Sequence, residues 1–279
     1  MKSRRLVVSA AAVTGLALSL TGCLGSAGDK AGEAGKNLRL TAAEILGRTA
    51  ERAGRTDTYT MKIDVDGQGG VSMKMSAAVR IRPSVAMHLT TEPTAVQGTR
   101  VPGFEAILDA QAMYLKMPAL AATNGGKPWS KIALSDLSAT SGLNLSGLMD
   151  QAKQQSPAEQ TKMLTASQDV REVGTETVDG VPTRHFTGTV PVTAALGKLD
   201  AQTRAKLEQQ YQKLGASTLT FDLWVGSDDL PRKMVSRLST SAGPMTTTAT
   251  YSGYNKPVDV TPPPASEVGT VKLPGSPGA

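Results

Sequence analysis

The sequence predicts an α+β fold in which hairpin-linked antiparallel strands, apolar on one face and polar on the other, pack against a few amphipathic helices. Three observations carry this. Strict alternation of apolar and polar residues runs through three consecutive segments from Tyr59 to Thr90. Turn-forming residues separate those segments at the spacing of a meander. Helical periodicity with capping residues occurs before, between and after the sheet segments.

The chain opens MKSRRLVVSAAAVTGLALSLTGC, with a basic head of Lys2, Arg4 and Arg5 and then 15 uncharged residues from Leu6 to Leu20. A membrane-crossing helix needs roughly 20 apolar residues, so this run is short for a span. Basic head, apolar run and small residues together describe an export signal over residues 1–22. The run ends Leu20-Thr21-Gly22-Cys23 and resembles the bacterial lipobox, in which the cysteine receives a diacylglyceryl group and becomes the new first residue. Two acyl chains at one point give stable anchoring where a single chain gives marginal binding. Cys23 is thus expected to hold the chain on the outer face of the cell membrane; the competing reading is a buried cysteine in a plain membrane anchor. Arg4-Arg5 also hints at twin-arginine export.

Removing residues 1–22 leaves 257 residues and takes three of the six net positive charges with it. A mature charge near +3 gives no argument for nucleic acid. Cys23 is the only cysteine, so a lipidated Cys23 leaves no thiol for disulfides. Residues 23–39, rich in Gly and Ala, have little to bury and read as a flexible tether.

Thr41-Ala42-Ala43-Glu44 has the form of a capping box. Ala42, Ile45, Leu46, Thr49, Ala50 and Ala53 follow at helical spacing, with Gly54 as the stop. The meander comes next. Met61, Ile63 and Val65 follow Tyr59 on one face of the first strand. Val71, Met73, Met75 and Val79 share a face of the second, after Gly67-Gln68-Gly69-Gly70. Val85, Met87 and Leu89 alternate after Arg82-Pro83-Ser84. Side chains on a strand point alternately to the two faces, so each set lies on one side. Met113 and Leu115 belong to a shorter strand, and Trp129 to Ile132 suggests another.

The middle reads as two helices, one carrying Leu143, Leu145, Leu148, Met149 and Ala152, the other starting at Ser156-Pro157-Ala158-Glu159. Segments 169–178 and 181–190 flank Asp179-Gly180, a two-residue hairpin signal. A helix spans about Asp200 to Leu214. Phe221, Leu223 and Val225 alternate in the next strand, and strands over 232–239 and 244–254 follow. Residues 261–279 form a proline-rich tail, disordered or wrapped on the surface.

The search for catalytic or metal-binding patterns gives little. His88 and His185 lie in strand patterns and read as solvated side chains. No HExxH, G-x-S-x-G or P-loop pattern occurs. Asp64 with Asp66 and Asp228 with Asp229 could be metal ligands, but acidic residues beside turns are ordinary turn chemistry. The expectation is a protein that is not an enzyme, with no cofactor and no metal.

What remains is the apolar face, in which six methionines fall within 57 residues from Met61 to Met117. Methionine is flexible and polarizable, and suits surfaces that accept varied apolar partners. Composition alone favours an ordinary filled core; the alternative leaves part of the face as a pocket for acyl chains. YTMKIDVDG (59–67), GTETVDGVPTRHFTGTV (174–190) and FDLWVGSDDLPRKM (221–234), behind a lipobox and tether, resemble the LppX–LprG-type lipoproteins of actinobacteria, which are similar to the LolA/LolB carriers. The resemblance covers residues 40–260. It implies a half-barrel of antiparallel strands over helices, with a lipid or glycolipid acyl chain between them. The expected lining is Met61, Ile63, Val65, Val71, Met73, Met75, Val79, Met87, Leu89, Met113, Leu115, Phe221, Leu223 and Val225. The implied activity is lipid carriage through the envelope; the second reading is a filled-core module that binds an envelope transport or sensor protein.

Overall fold

Helix α1 (Ala42–Gly54) begins at the capping box. Thr41 N–H donates to Glu44 Oε2 at 2.7 Å and Glu44 N–H donates to Thr41 Oγ1 at 3.3 Å. The first amides of a helix have no partner within it, and this reciprocal pair satisfies them. Its buried stripe is Ile45, Leu46, Thr49 and Ala53. This computed structural model describes residues 40–68, 71–96, 99–134 and 155–271; Cys23, the tether and the expected helix around 143–152 lie outside them.

The meander is β1 (Thr58–Gly67), β2 (Val71–Arg80) and β3 (Ala86–Thr91). Tyr59 pairs with Val79, Met61 with Ala77, Ile63 with Met75 and Val65 with Met73. Directly opposed residues share a sheet face, so the alternation puts all eight on one side. Val85 lies just before β3, and Ala86, expected on the wet side, is fully buried. The pattern missed a small separate hairpin, β4 (Thr94–Val96) with β5 (Thr99–Val101), and the four-residue β6 (Glu105–Leu108). These are too short to show a period.

Next come β7 (Ala112–Lys116), the short helix α2 (Pro118–Ala121) and β8 (Trp129–Ala133). Helix α3 (Pro157–Leu164) is capped by Ser156, whose Oγ accepts from Glu159 N–H at 3.3 Å. Strands β9 (Arg171–Val178) and β10 (Val181–Pro191) are joined by Asp179-Gly180 with φ of 47° and 79°. Two positive φ values are the requirement of the tight turn whose twist matches its strands. Helix α4 (Val192–Leu196) was not expected. Helix α5 (Ala201–Leu214) was; it starts at the cap Asp200 and ends at Gly215 in the left-handed region. Strands β11 (Thr218–Gly226), β12 (Pro231–Thr240) and β13 (Gly243–Ser252) complete the hairpins, and β14 (Val268–Thr270) closes the described chain.

Twelve strands make one sheet in the order β14-β8-β7-β6-β3-β2-β1-β13-β12-β11-β10-β9. All neighbours are antiparallel except β14, which joins β8 in parallel. β9 and β14 are its two edges, so the sheet is an open half-barrel rather than a closed one. The helices cover one face. Ile45 and Leu46 of α1, Met163 and Leu164 of α3 and Leu196 of α4 form one core with Phe186, Val190, Phe221, Leu223 and Met234 of the sheet. Beyond β13 the chain ties back to the start of β1, where Asn255 N–H donates to the Thr58 carbonyl at 2.9 Å. It then crosses to the far edge of the sheet, placing residues 261–271 of the proline-rich segment on the domain.

Candidate functional site

The expected lining residues lie on the helix-facing side of the sheet, in two unlike groups. Phe221, Leu223 and Val225 are buried in the core at 0%, 0% and 2% exposure, and Met61 and Val79 are also buried. Phe221, Leu223 and Val225 sit on β11, which β1, β13 and β12 separate from β2. There the sheet and helices close on each other. The crevice between Met163, Val192, Ala195, Leu196, Tyr211 and Leu219 holds about 10 Å³. That is the lower limit for a single water. Gly188 shows how tightly this part is built: it lies opposite Phe221, and a Cβ there would sit 2.9 Å from Phe221 Cζ.

The second group is Ile63, Val65, Met73, Met75, Met87, Leu89, Met113 and Leu115, all only half-buried. The side chain of Val71 lies outside the described side chains. Register brings this group together. Val79 pairs with Met87, Met87 with Leu108 and Leu108 with Met113. Beside that row, Leu89 pairs with Ala106 and Ala106 with Leu115. Sequence reasoning missed Leu108, Ile132 and Leu134, which form a small apolar cluster with Met113 and Leu115. The signal for Leu108 was its place in Glu105-Ala106-Ile107-Leu108, which is too short to read without its pairing partner.

The opposite face is polar and closely paired. His185 Nδ1 and Nε2 each lie 2.9 Å from a carboxylate oxygen, of Glu176 and Asp222. The His185 ring stacks on Trp224 at 4.2 Å, and Trp224 Nε1–H donates to Glu176 at 3.0 Å. This explains how a tryptophan on the polar side is buried. Burial pushes the Asp222 carboxyl up, but hydrogen bonds from Arg237, His185 and Thr187 outweigh it and leave the group below its ordinary value. His88 Nε2 lies 2.7 Å from Glu105 Oε1. The two histidines are therefore half-buried and hydrogen-bonded to carboxylates rather than freely solvated. Asp228 takes the Arg232 guanidinium at 2.6 Å, and Asp229 pairs with Arg48. Among the described residues no group of three His, Cys, Asp or Glu is placed to hold a metal ion.

The model of the LppX_LprAFG lipoprotein family matches residues 42–260. The 31.2 kDa protein of the rplA–rplJ intergenic region of Streptomyces griseus is 38% identical over 152 residues, 53% of this chain and 50% of that protein. The chain thus spans about half the length of the curated relatives it matches. The crystal structure of LprF from Mycobacterium bovis aligns over 80% of this chain and 96% of its own, with TM-score 0.54 and 16% identity. LppX from Mycobacterium tuberculosis aligns over 79% and 98%, with TM-score 0.44 and 16% identity. At such identity the likeness to LprF is one of fold.

Proposed function

We propose that this chain, which belongs to the LppX_LprAFG lipoprotein family, holds the acyl chains of a lipid or glycolipid against the half-buried part of its apolar face. One observation carries the reading: a single sheet face changes from a filled core under the helices to a methionine-rich, half-buried stretch on β2, β3 and β7. Each buried CH₂ contributes ~0.8 kcal/mol, so a dozen contribute on the order of 10 kcal/mol before ordering costs. Methionines adapt to acyl chains of different packing without a fixed rotamer. Cys23, lipidated at the lipobox, anchors the domain to the outer face of the cell membrane, and the tether gives it reach. The protein then carries its lipid through the envelope.

The test is native mass spectrometry of residues 24–279 purified without detergent, followed by organic extraction. The wild type retains a stoichiometric acylated adduct after exposure to lipid extract from its own organism. Met75→Trp fills the half-buried stretch and loses most of the adduct while melting within a few degrees of wild type. A wild type that stays empty in that extract, or a folded Met75→Trp that loads fully, contradicts the reading. Val79→Trp is a poor probe, because Val79 is 1% exposed and overpacking there unfolds the core.

A further inference from the structure

The outer face of the sheet carries a hollow that lipid binding on the inner face does not use. Two cross-strand rows form its floor. Ser252, Thr60, Ala78 and His88 make one row; Thr250, Lys62, Ser76 and Thr90 make the other. Their chain neighbours Met61, Ala77 and Val79 point into the core, so these eight point outward. The hollow measures about 290 Å³, and Asp179, from the tip of the β9–β10 hairpin, lines it as well. A second hollow of about 320 Å³ continues past Ser252 to Tyr254, Lys256 and Arg232, and shares Asp179 and Ser252 with the first. The first approaches the lower end of the size range of small-molecule sites.

The lining has a definite chemistry. One end is closed by His88, held on Glu105. Thr60 Oγ1 lies 2.8 Å from Ser252 Oγ, so that pair is satisfied. Among the described residues, the Lys62 ammonium, the Asp179 carboxylate and the hydroxyls of Ser76, Thr90 and Thr250 enter no hydrogen bond or ion pair. Lys62, Ser76, Thr90 and Thr250 sit on the central strands β1, β2, β3 and β13, Asp179 reaches in from the hairpin tip, and all five line one space. The two unpaired charges are opposite. A phosphate would meet the carboxylate of Asp179, and a cation would meet the ammonium of Lys62. An acyl chain would strip water from three hydroxyls without replacing their hydrogen bonds. A neutral ring of hydroxyl groups satisfies the whole set. Asp179 accepts from adjacent hydroxyls, Lys62 and the Ser/Thr hydroxyls donate to ring and hydroxyl oxygens, and Ala78 leaves room for a C–H face. We propose that this outer hollow is a saccharide site, separate from the lipid face. The sugar is either a soluble glycan or the headgroup of a membrane glycolipid.

The experiment uses the full mature chain, ¹⁵N-labelled, in micelles of a zwitterionic detergent. It is titrated with maltotriose, with chitotriose, and with a neutral diglucosyl lipid in phosphatidylcholine vesicles. The proposal expects saturable shifts of the amides of residues 60–62, 76–78 and 250–252 at millimolar sugar. A response to either trisaccharide names a soluble glycan, and a response to the glycolipid alone names a headgroup. Ser76→Trp, which fills the hollow, and Lys62→Ala/Asp179→Ala, which removes its charged partners, weaken binding ~10-fold or more. Because these residues face away from the core, both variants keep the wild-type lipid load on the inner face. No saturable shift with any of the three probes overturns the proposal, as does undiminished binding by both variants.

Discussion

On the inner face of one continuous sheet, β10–β12 and the group β2, β3 and β7 solve different problems with the same alternation. In β10–β12 the inward positions include Phe186, Val190, Phe221, Leu223 and Met234, each at 3% exposure or less. Helices α3 and α4 supply the other side of that core. In β2, β3 and β7 the inward Met73, Met75, Met87, Leu89, Met113 and Leu115 are half-buried, while Ala77 and Val79 at the other end of β2 are buried with the core. The first region packs two phenylalanines with Val, Leu and one Met into a single filled arrangement. The second is richer in methionine, four of its six residues, whose flexible side chain tolerates several packings. The contrast shows that an apolar strand face is not by itself a core: what it becomes depends on the helices opposite and on how adaptable its side chains are.

The contrast can be broken by substitution, taking effects from large to small. Phe221→Ala in the filled region costs about 3–5 kcal/mol in denaturant unfolding, because the cavity cannot collapse against packed helices. Gly188→Ala costs about 2 kcal/mol, since its methyl group would sit 2.7 Å from Ser167 Oγ and 2.9 Å from Phe221 Cζ. Met75→Ala in the half-buried region costs only about 1 kcal/mol, because the side chain is partly exposed before it is removed. Equal costs for Phe221→Ala and Met75→Ala would erase the distinction.

Asp169 tests the seam where the helical layer joins β10. Its carboxylate accepts from Thr189 N–H and Thr189 Oγ1, each at 2.7 Å, and from Ser167 Oγ at 2.8 Å. These bonds, led by the Thr189 amide, lower its pKa from 3.8 to about 2. A folded-state value below the unfolded one means the stabilisation is complete above pH 3.8 and is lost as pH falls through about 2. Asp169→Asn therefore lowers stability by about 1 kcal/mol at neutral pH, a figure reduced for exposure to solvent. Thermal melts of the two proteins converge as pH falls from 3.8 towards 2. The smallest effect is a gain. Thr49 Oγ1 is buried in α1 without a hydrogen-bond partner. Thr49→Val removes that uncompensated hydroxyl and raises stability by up to about 1 kcal/mol in the same melts.

The sequence was most legible where one period ran long enough to count. Tyr59 to Thr90 shows alternation in three successive segments, and β1 to β3 follow it within a residue or two. Caps were equally legible at Thr41 and Ser156, because each is a local hydrogen bond written in neighbouring residues. β6 and α4 were not, since four or five residues carry no measurable period and are fixed by tertiary neighbours. The division of the apolar face was also invisible. Val79 and Met75 alternate identically in sequence, yet Val79 is fully buried and Met75 is not. The difference depends on which strand end the helices reach, and that is a property of the assembled fold. Trp224 and His185 were read as residues of the polar face; that they bury each other depends on Glu176 arriving from β9.

The central claim is that lipid is held by the half-buried region and not by the filled one. Hydrogen exchange of residues 24–279, with and without bound lipid, tests it most directly. The account predicts slower exchange on loading in residues 73–91 and 112–116, with residues 218–238 unchanged. Protection confined to residues 218–238, or an unchanged exchange pattern in a protein shown by mass spectrometry to be loaded, would contradict it.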